Sequence, residues 1–71
     1  MTTILFFEGS YQFLSETTYL NVSEEYIQYK LAKQYEYRTT NETLWAEIIH
    51  VDGVTERFTL DYENNKLNKH A

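Results

Sequence analysis

Cysteine and proline are absent from this 71-residue chain, and histidine and glycine occur only twice each. Without cysteine, disulfides and thiolate zinc sites are excluded. With His50 and His70 as the only imidazoles, a histidine-rich metal site is excluded as well, and we expect neither a metal nor a cofactor. Phosphate-binding loops require a cluster of glycines, whereas Gly9 and Gly53 stand far apart and each suits a hairpin turn.

The chain also lacks long apolar runs and clusters of basic residues. No segment approaches the roughly 18 apolar residues of a membrane span, and the first ten residues lack the basic region of a signal peptide, so we expect a cytoplasmic location without membrane contact. Eleven acidic residues oppose six basic ones, and in residues 1–65 eleven acids oppose four bases, a balance of −7. Nucleic-acid binding requires clustered Lys and Arg. The charge therefore disfavours direct nucleic-acid binding and favours a basic protein as partner.

Groups that could support catalysis are sparse. A Ser or Thr could pair with His50, but no residue occupies a recognisable nucleophile turn. His50 and Asp52 would supply two metal ligands, which is too few for a site. Paired carboxylates for glycoside chemistry need a cleft, which a domain of this size rarely forms. We therefore predict a non-enzymatic protein.

The strongest local signal predicts a helix over Ser23–Arg38. Ser23 is a favourable N-cap, and Glu24 and Glu25 follow where the helix dipole favours negative charge. Apolar side chains recur every four residues and predict a stripe that faces the core: Ile27, Leu31 and Tyr35.

Three tyrosines of this helix, Tyr26, Tyr29 and Tyr37, fall on the side opposite the apolar stripe. One interpretation is that their rings lie along the domain edges with the hydroxyls in water. The other is a ridge that faces a partner, because Tyr provides a large contact area at little cost in rotamer entropy.

Two strand candidates, Thr2–Glu8 and Tyr11–Leu20, flank the dipeptide Gly9-Ser10, which suits a two-residue hairpin turn. Alternation along these strands predicts two apolar faces. One face collects Ile4, Phe6 and Phe13, and the other collects Leu5, Phe7 and Leu14.

A second hairpin is predicted over Thr43–Tyr62, and two registers compete for it. A two-residue Asp52-Gly53 turn mixes polar and apolar side chains on both faces. A three-residue Val51-Asp52-Gly53 loop, with Gly53 in the left-handed conformation, pairs Glu47 with Arg57 and separates the faces. We favour the second register because it places these residues on one face: Leu44, Ala46, Ile48, Phe58, Leu60 and Tyr62.

These elements predict an α+β domain over residues 1–63. Its four-stranded antiparallel sheet consists of two hairpins, with one α-helix packed on one face, in the order β-β-α-β-β. Residues 64–71 are polar and unpatterned, and we expect a flexible tail. Since a single helix covers one face of a sheet only, the other face remains open.

The favoured register places Trp45 and Ile49 on that open face beside Glu47. Apolar patches on a monomer mark interaction sites, and Trp is enriched at binding hot spots. Two alternatives remain open: a register shifted by one residue would place Trp45 in the core, and the face could instead form a homodimer interface.

In size, charge and aromatic content the chain is similar to the small acidic, cysteine-free proteins with which bacteriophages block host factors, including anti-CRISPR proteins and inhibitors of DNA-repair enzymes. The resemblance implies an inhibitor that masks a basic, nucleic-acid-handling target protein. The alternative is a homo-oligomeric structural or regulatory module that uses its apolar sheet face for self-association. The residues predicted to contact a partner are Trp45, Ile49, Glu47, Glu56, Asp61, Tyr26, Tyr29 and Tyr37.

Overall fold

The fold is taken from a computed structural model, which describes residues 1–70. Over these residues the elements are β1 (Thr2–Glu8), β2 (Tyr11–Thr18), α1 (Glu24–Tyr37), β3 (Leu44–Ile49), β4 (Thr55–Asp61) and β5 (Lys66–His70). All strand pairs are antiparallel, and the sheet has the order β2-β1-β3-β4-β5. The central pair, β1 with β3, therefore joins two parts of the chain that are separated in sequence by α1.

Helix α1 packs on one face of the sheet, and its first turn is capped as the sequence predicts. The Ser23 hydroxyl accepts a hydrogen bond from the backbone N–H of Tyr26 at 3.1 Å. Ile27 and Leu31 are fully buried. The Tyr35 hydroxyl accepts a hydrogen bond from the backbone N–H of Leu44 at 2.9 Å, which ties the last turn of the helix to the start of β3. The predicted apolar stripe is confirmed.

The core lies between α1 and the sheet face that the helix covers. Alternate residues of the three central strands point into it, as expected for strands with one covered face. Burying one such side chain contributes roughly 1.5–3 kcal/mol. The buried sheet residues are Ile4, Phe6, Leu44, Ala46, Ile48, Phe58 and Leu60.

Both predicted hairpin turns are present, with glycine in the left-handed region. Gly9 has φ +58° and Gly53 has φ +88°. In the second turn the N–H of His50 donates to the carbonyl of Val54 at 2.9 Å, which closes a three-residue loop. Glu47 therefore lies opposite Arg57. This is the register that separates the faces, and it excludes the alternative that places Trp45 in the core.

The predicted four-stranded sheet is wrong, because residues 66–70 of the predicted flexible tail form a fifth strand. β5 pairs with β4 and sets Leu67 opposite Leu60, where Leu67 packs against the core. The turn before it places Asn65 at φ 49°, and the side-chain amide of Gln28 donates to the Asn65 carbonyl at 2.7 Å. β5 has one apolar side chain among five residues, so its sequence shows no alternation that would predict a strand. The last residue of the predicted tail, Ala71, lies outside the described residues.

The predicted face of Leu14 is also wrong. The register of β1 with β2 shifts between Phe6 and Phe7, so Leu14 lies opposite Phe6 whereas Gln12 lies opposite Phe7. An extra residue in one strand of an antiparallel pair produces this shift. Leu14 and Phe13 consequently both pack against the core, and Leu14 does not join Phe7 on the other face.

A candidate protein-binding face of the sheet

The sheet face opposite α1, called the open face below, is not covered by any element of residues 1–70. The strand registers place alternate residues on it, mostly apolar in β1 and β3 and polar toward the edges. Its central side chains are Leu5, Phe7, Trp45, Glu47, Ile49, Arg57 and Thr59.

An aromatic stack forms the centre of the open face. Phe7 lies opposite Trp45 in the β1–β3 register, and their rings stack with centroids 4.0 Å apart and planes 7° apart. The indole N–H of Trp45 donates to the carbonyl of Gly9 at 2.7 Å. Both rings are half-buried. The stack and the hydrogen bond therefore fix the orientation of the indole while part of its surface faces solvent.

Arg57 lies beside this stack on the neighbouring strand. Its guanidinium carbon is 5.4 Å from the centroid of the Trp45 ring, within cation–π range. Its Nε donates to the Glu47 carboxylate at 3.1 Å. The side chain of Glu47 is only 17% exposed, whereas that of Arg57 is 61% exposed. Toward β5 a groove of about 400 Å³ follows, lined by Trp45, Arg57, Thr59 and His70.

The three acidic residues predicted to contact a partner are already engaged within the domain. Glu47 is held by Arg57, as described. Glu56 binds Lys69 and His50, each at 2.7 Å, and these hydrogen bonds lower the pKa of the Glu56 carboxyl. Asp61 accepts hydrogen bonds from the side-chain amide and the backbone N–H of Asn64. Both bonds lower the pKa of the Asp61 carboxyl, the side-chain bond more than the backbone bond.

Other acidic side chains are available at the ends of the strands. Glu42 precedes β3, Asp52 is in the β3–β4 turn and Glu63 is in the β4–β5 turn. All three are exposed, and none forms an ion pair with any of residues 1–70. One carboxylate oxygen of Asp52 accepts a hydrogen bond from the backbone N–H of Val54 at 3.0 Å. We call the three acidic residues the rim acids. They are not among the residues predicted to contact a partner, although their position in turns was the available signal.

The predicted tyrosines lie on α1, on the other layer of the domain. The Tyr26 hydroxyl donates to Glu16 at 2.7 Å, and the ammonium of Lys33 lies 5.8 Å from the Tyr29 ring. Tyr37 is 80% exposed. The eight predicted residues therefore divide into two surfaces. The open face carries Trp45, Ile49, Glu47 and Asp61. Glu56 lies on the helix-covered face of β4, and the tyrosines lie on α1.

Residues 1–70 contain no group of three or more His, Asp or Glu side chains arranged to hold a metal ion. Their helix is too short and too polar to cross a membrane. A comparison with known proteins found no matching family model, no similar curated protein and no similar solved structure.

A carboxylate between the sheet and α1 makes stability depend on pH. Burial raises the pKa of Glu16, but hydrogen bonds from Lys30 and Tyr26 outweigh it, so the pKa lies below its ordinary 4.5. A carboxylate whose pKa is lowered by folding stabilises the fold above its unfolded-state pKa, and this contribution is lost as pH falls through the folded-state pKa. We therefore expect stability to decrease below about pH 4.5.

Urea unfolding at pH 7 and pH 3.5 measures this dependence. Glu16→Gln should lower stability at pH 7 and reduce the difference between the two pH values. Glu36→Gln, on the exposed side of α1, is the matched control and should keep the wild-type difference. An unchanged difference in Glu16→Gln would show that other carboxylates dominate.

Proposed function

We propose that this domain is a non-enzymatic protein-binding module that inhibits a basic, nucleic-acid-handling protein by covering its charged groove. We propose that it acts in the cytoplasm. For a phage-encoded protein, this is the cytoplasm of the host cell. The observation that carries the proposal is the fixed, half-exposed Phe7–Trp45 stack at the centre of an uncovered sheet face.

The geometry of the stack supports a role in docking. Interface hot spots are rigid aromatic and Arg side chains near the centre of a contact patch, surrounded by residues that exclude water. Trp45 is fixed by Phe7 and by the Gly9 carbonyl, so little side-chain entropy would be lost when a partner binds. Arg57 adds a polar group at the side of the indole.

The charge distribution supports a basic target. The rim acids Glu42, Asp52 and Glu63 extend from both ends of the sheet, and the chain carries a net charge of −5. Carboxylates on a rigid scaffold can bind Lys and Arg side chains that would otherwise hold phosphates. Inhibition would then be competitive with nucleic acid, and complex formation would weaken as salt increases.

The test is affinity capture from host lysate at low and high salt with four variants. We expect a basic nucleic-acid-binding protein to be captured at low salt, and Trp45→Ala to weaken its affinity at least tenfold, as loss of a hot-spot residue does. Tyr29→Ala removes an exposed aromatic ring from the helix layer and should bind like wild type.

Two triple variants separate local charge from net charge. Neutralising the rim acids (Glu42→Gln, Asp52→Asn, Glu63→Gln) should weaken capture and reduce its salt dependence. Neutralising Glu24, Glu25 and Glu36 on α1, each to Gln, changes the net charge equally and should have little effect. Equal losses in both triple variants, or affinity that survives Trp45→Ala, would contradict docking through the open face.

Self-association through the open face is the alternative function. It predicts that the purified protein is a dimer that Trp45→Ala dissociates, with no other protein captured. Sedimentation of wild type and Trp45→Ala distinguishes it from the inhibitor proposal.

A further inference from the structure

We propose that the edge strand β2 pairs antiparallel with β2 of a second copy, around a two-fold axis at Ser15, so that the two sheets become continuous. The proposal concerns a different surface from the open face and does not depend on the inhibitor function.

The two edges of the sheet differ in length and charge. β5 has five residues and carries Lys66 and Lys69, and lysines on an edge strand oppose pairing with another chain. β2 has eight residues, and Glu16 is its only charged side chain. That charge is neutralised by Lys30 at 2.8 Å. The outer edge of β2 therefore offers unpaired backbone groups without charge repulsion.

The faces of the β2 side chains and the length of the strand together select one register. Opposed side chains in an antiparallel pair lie on the same face of the sheet, so the axis must pass through a residue and not between two. An axis at Glu16 would oppose two carboxylates. An axis at Leu14 would set Tyr11, at the start of the strand, opposite Glu16, and would leave Thr17 and Thr18 without partners.

An axis at Ser15 satisfies every pair. Leu14 then lies opposite Glu16 of the second copy, and both side chains are on the helix-covered face. The β2 bulge next to Leu14 shifts the following pairs by one residue. Gln12 therefore lies opposite Thr17 on the open face.

The same register explains an exposed tyrosine and an unfilled cleft. Tyr11 is 64% exposed and lies opposite Thr18 of the second copy, on the helix-covered face. At that end of β2 a cleft of about 680 Å³ opens before α1, with Thr18, Leu20 and Val22 in its wall. Opposed Cβ atoms are about 4.5–5.5 Å apart, so each Tyr11 ring reaches the cleft of the other copy. It would cover Leu20, which is 76% exposed.

A single cysteine at the axis tests the register. The chain has no cysteine of its own, and Cα separations of about 4.5–5.5 Å across an antiparallel pair match those that a disulfide spans. Under mild oxidation Ser15→Cys should convert almost completely into a covalent dimer. Ser10→Cys, an exposed position in the β1–β2 turn and far from the axis, is the control and should remain monomeric on denaturing gels.

Charged substitutions of Ser15, the residue at the axis, give a second, non-covalent test, which is measured by sedimentation. Wild type should be a dimer at high micromolar concentration. Ser15→Lys and Ser15→Glu should each be monomeric, because like charges meet at the axis, and an equimolar mixture should form the heterodimer. Circular dichroism checks that each variant is folded. A monomeric wild type, or a dimer that both Ser15 variants retain, would overturn the proposal.

Discussion

A chain shortened to residues 1–63 should lose about 3–5 kcal/mol of unfolding free energy, from the backbone hydrogen bonds of β5 and the burial of Leu67. A domain of this length has a total stability of roughly 4–11 kcal/mol. The truncated chain should therefore lose a large part of its stability and unfold at a much lower urea concentration than the full chain. Urea unfolding followed by circular dichroism measures the difference.

Point variants in the full chain separate the β5 interactions from chain length. Leu67→Ala removes the β5 side chain that packs against the core and should be destabilising, whereas Lys66→Ala at an exposed position of the same strand should be nearly neutral. If the truncated chain unfolded at the wild-type urea concentration, β5 would not contribute to the stability of the fold.

The second large effect is expected at Phe6 of β1, whose ring is fully buried in the core between the sheet and α1. Phe6→Ala removes the ring and leaves a cavity, which costs about 3–5 kcal/mol. Phe7→Ala, at the next residue and on the open face, should cost about 1–2 kcal/mol through loss of the stack with Trp45. Urea unfolding of both variants measures how much the same change, Phe to Ala, costs on each face of the sheet. Equal losses would mean that the open face is covered in solution.

Local signals made part of this fold predictable. The start of the helix follows from the Ser23 cap, and its buried side from a four-residue period. The β3–β4 register follows from the Glu47–Arg57 pair and from a loop whose last residue, Gly53, has a positive φ. The open position of Trp45 follows from that register. These features depend on residues within a few positions of one another.

The errors have a different origin, because they depend on contacts between distant segments. β5 is stabilised by β4 and by contacts such as Gln28 with Asn65, while its own sequence is almost wholly polar. The bulge that turns Leu14 toward the core has no sequence pattern. Likewise, the ion pair of Glu56 with Lys69 joins β4 to a strand that the sequence does not predict.

The stacked indole is the only tryptophan of the chain, so the intrinsic fluorescence of the protein reports on one place. A ligand that covers the open face should shift the emission maximum and reduce quenching by iodide. Pairing of β2 strands occurs at the sheet edge, with β1 lying between β2 and Trp45, and should leave the emission unchanged. Tryptophan fluorescence recorded during a titration therefore shows, without a label, whether the open face or the β2 edge becomes occupied.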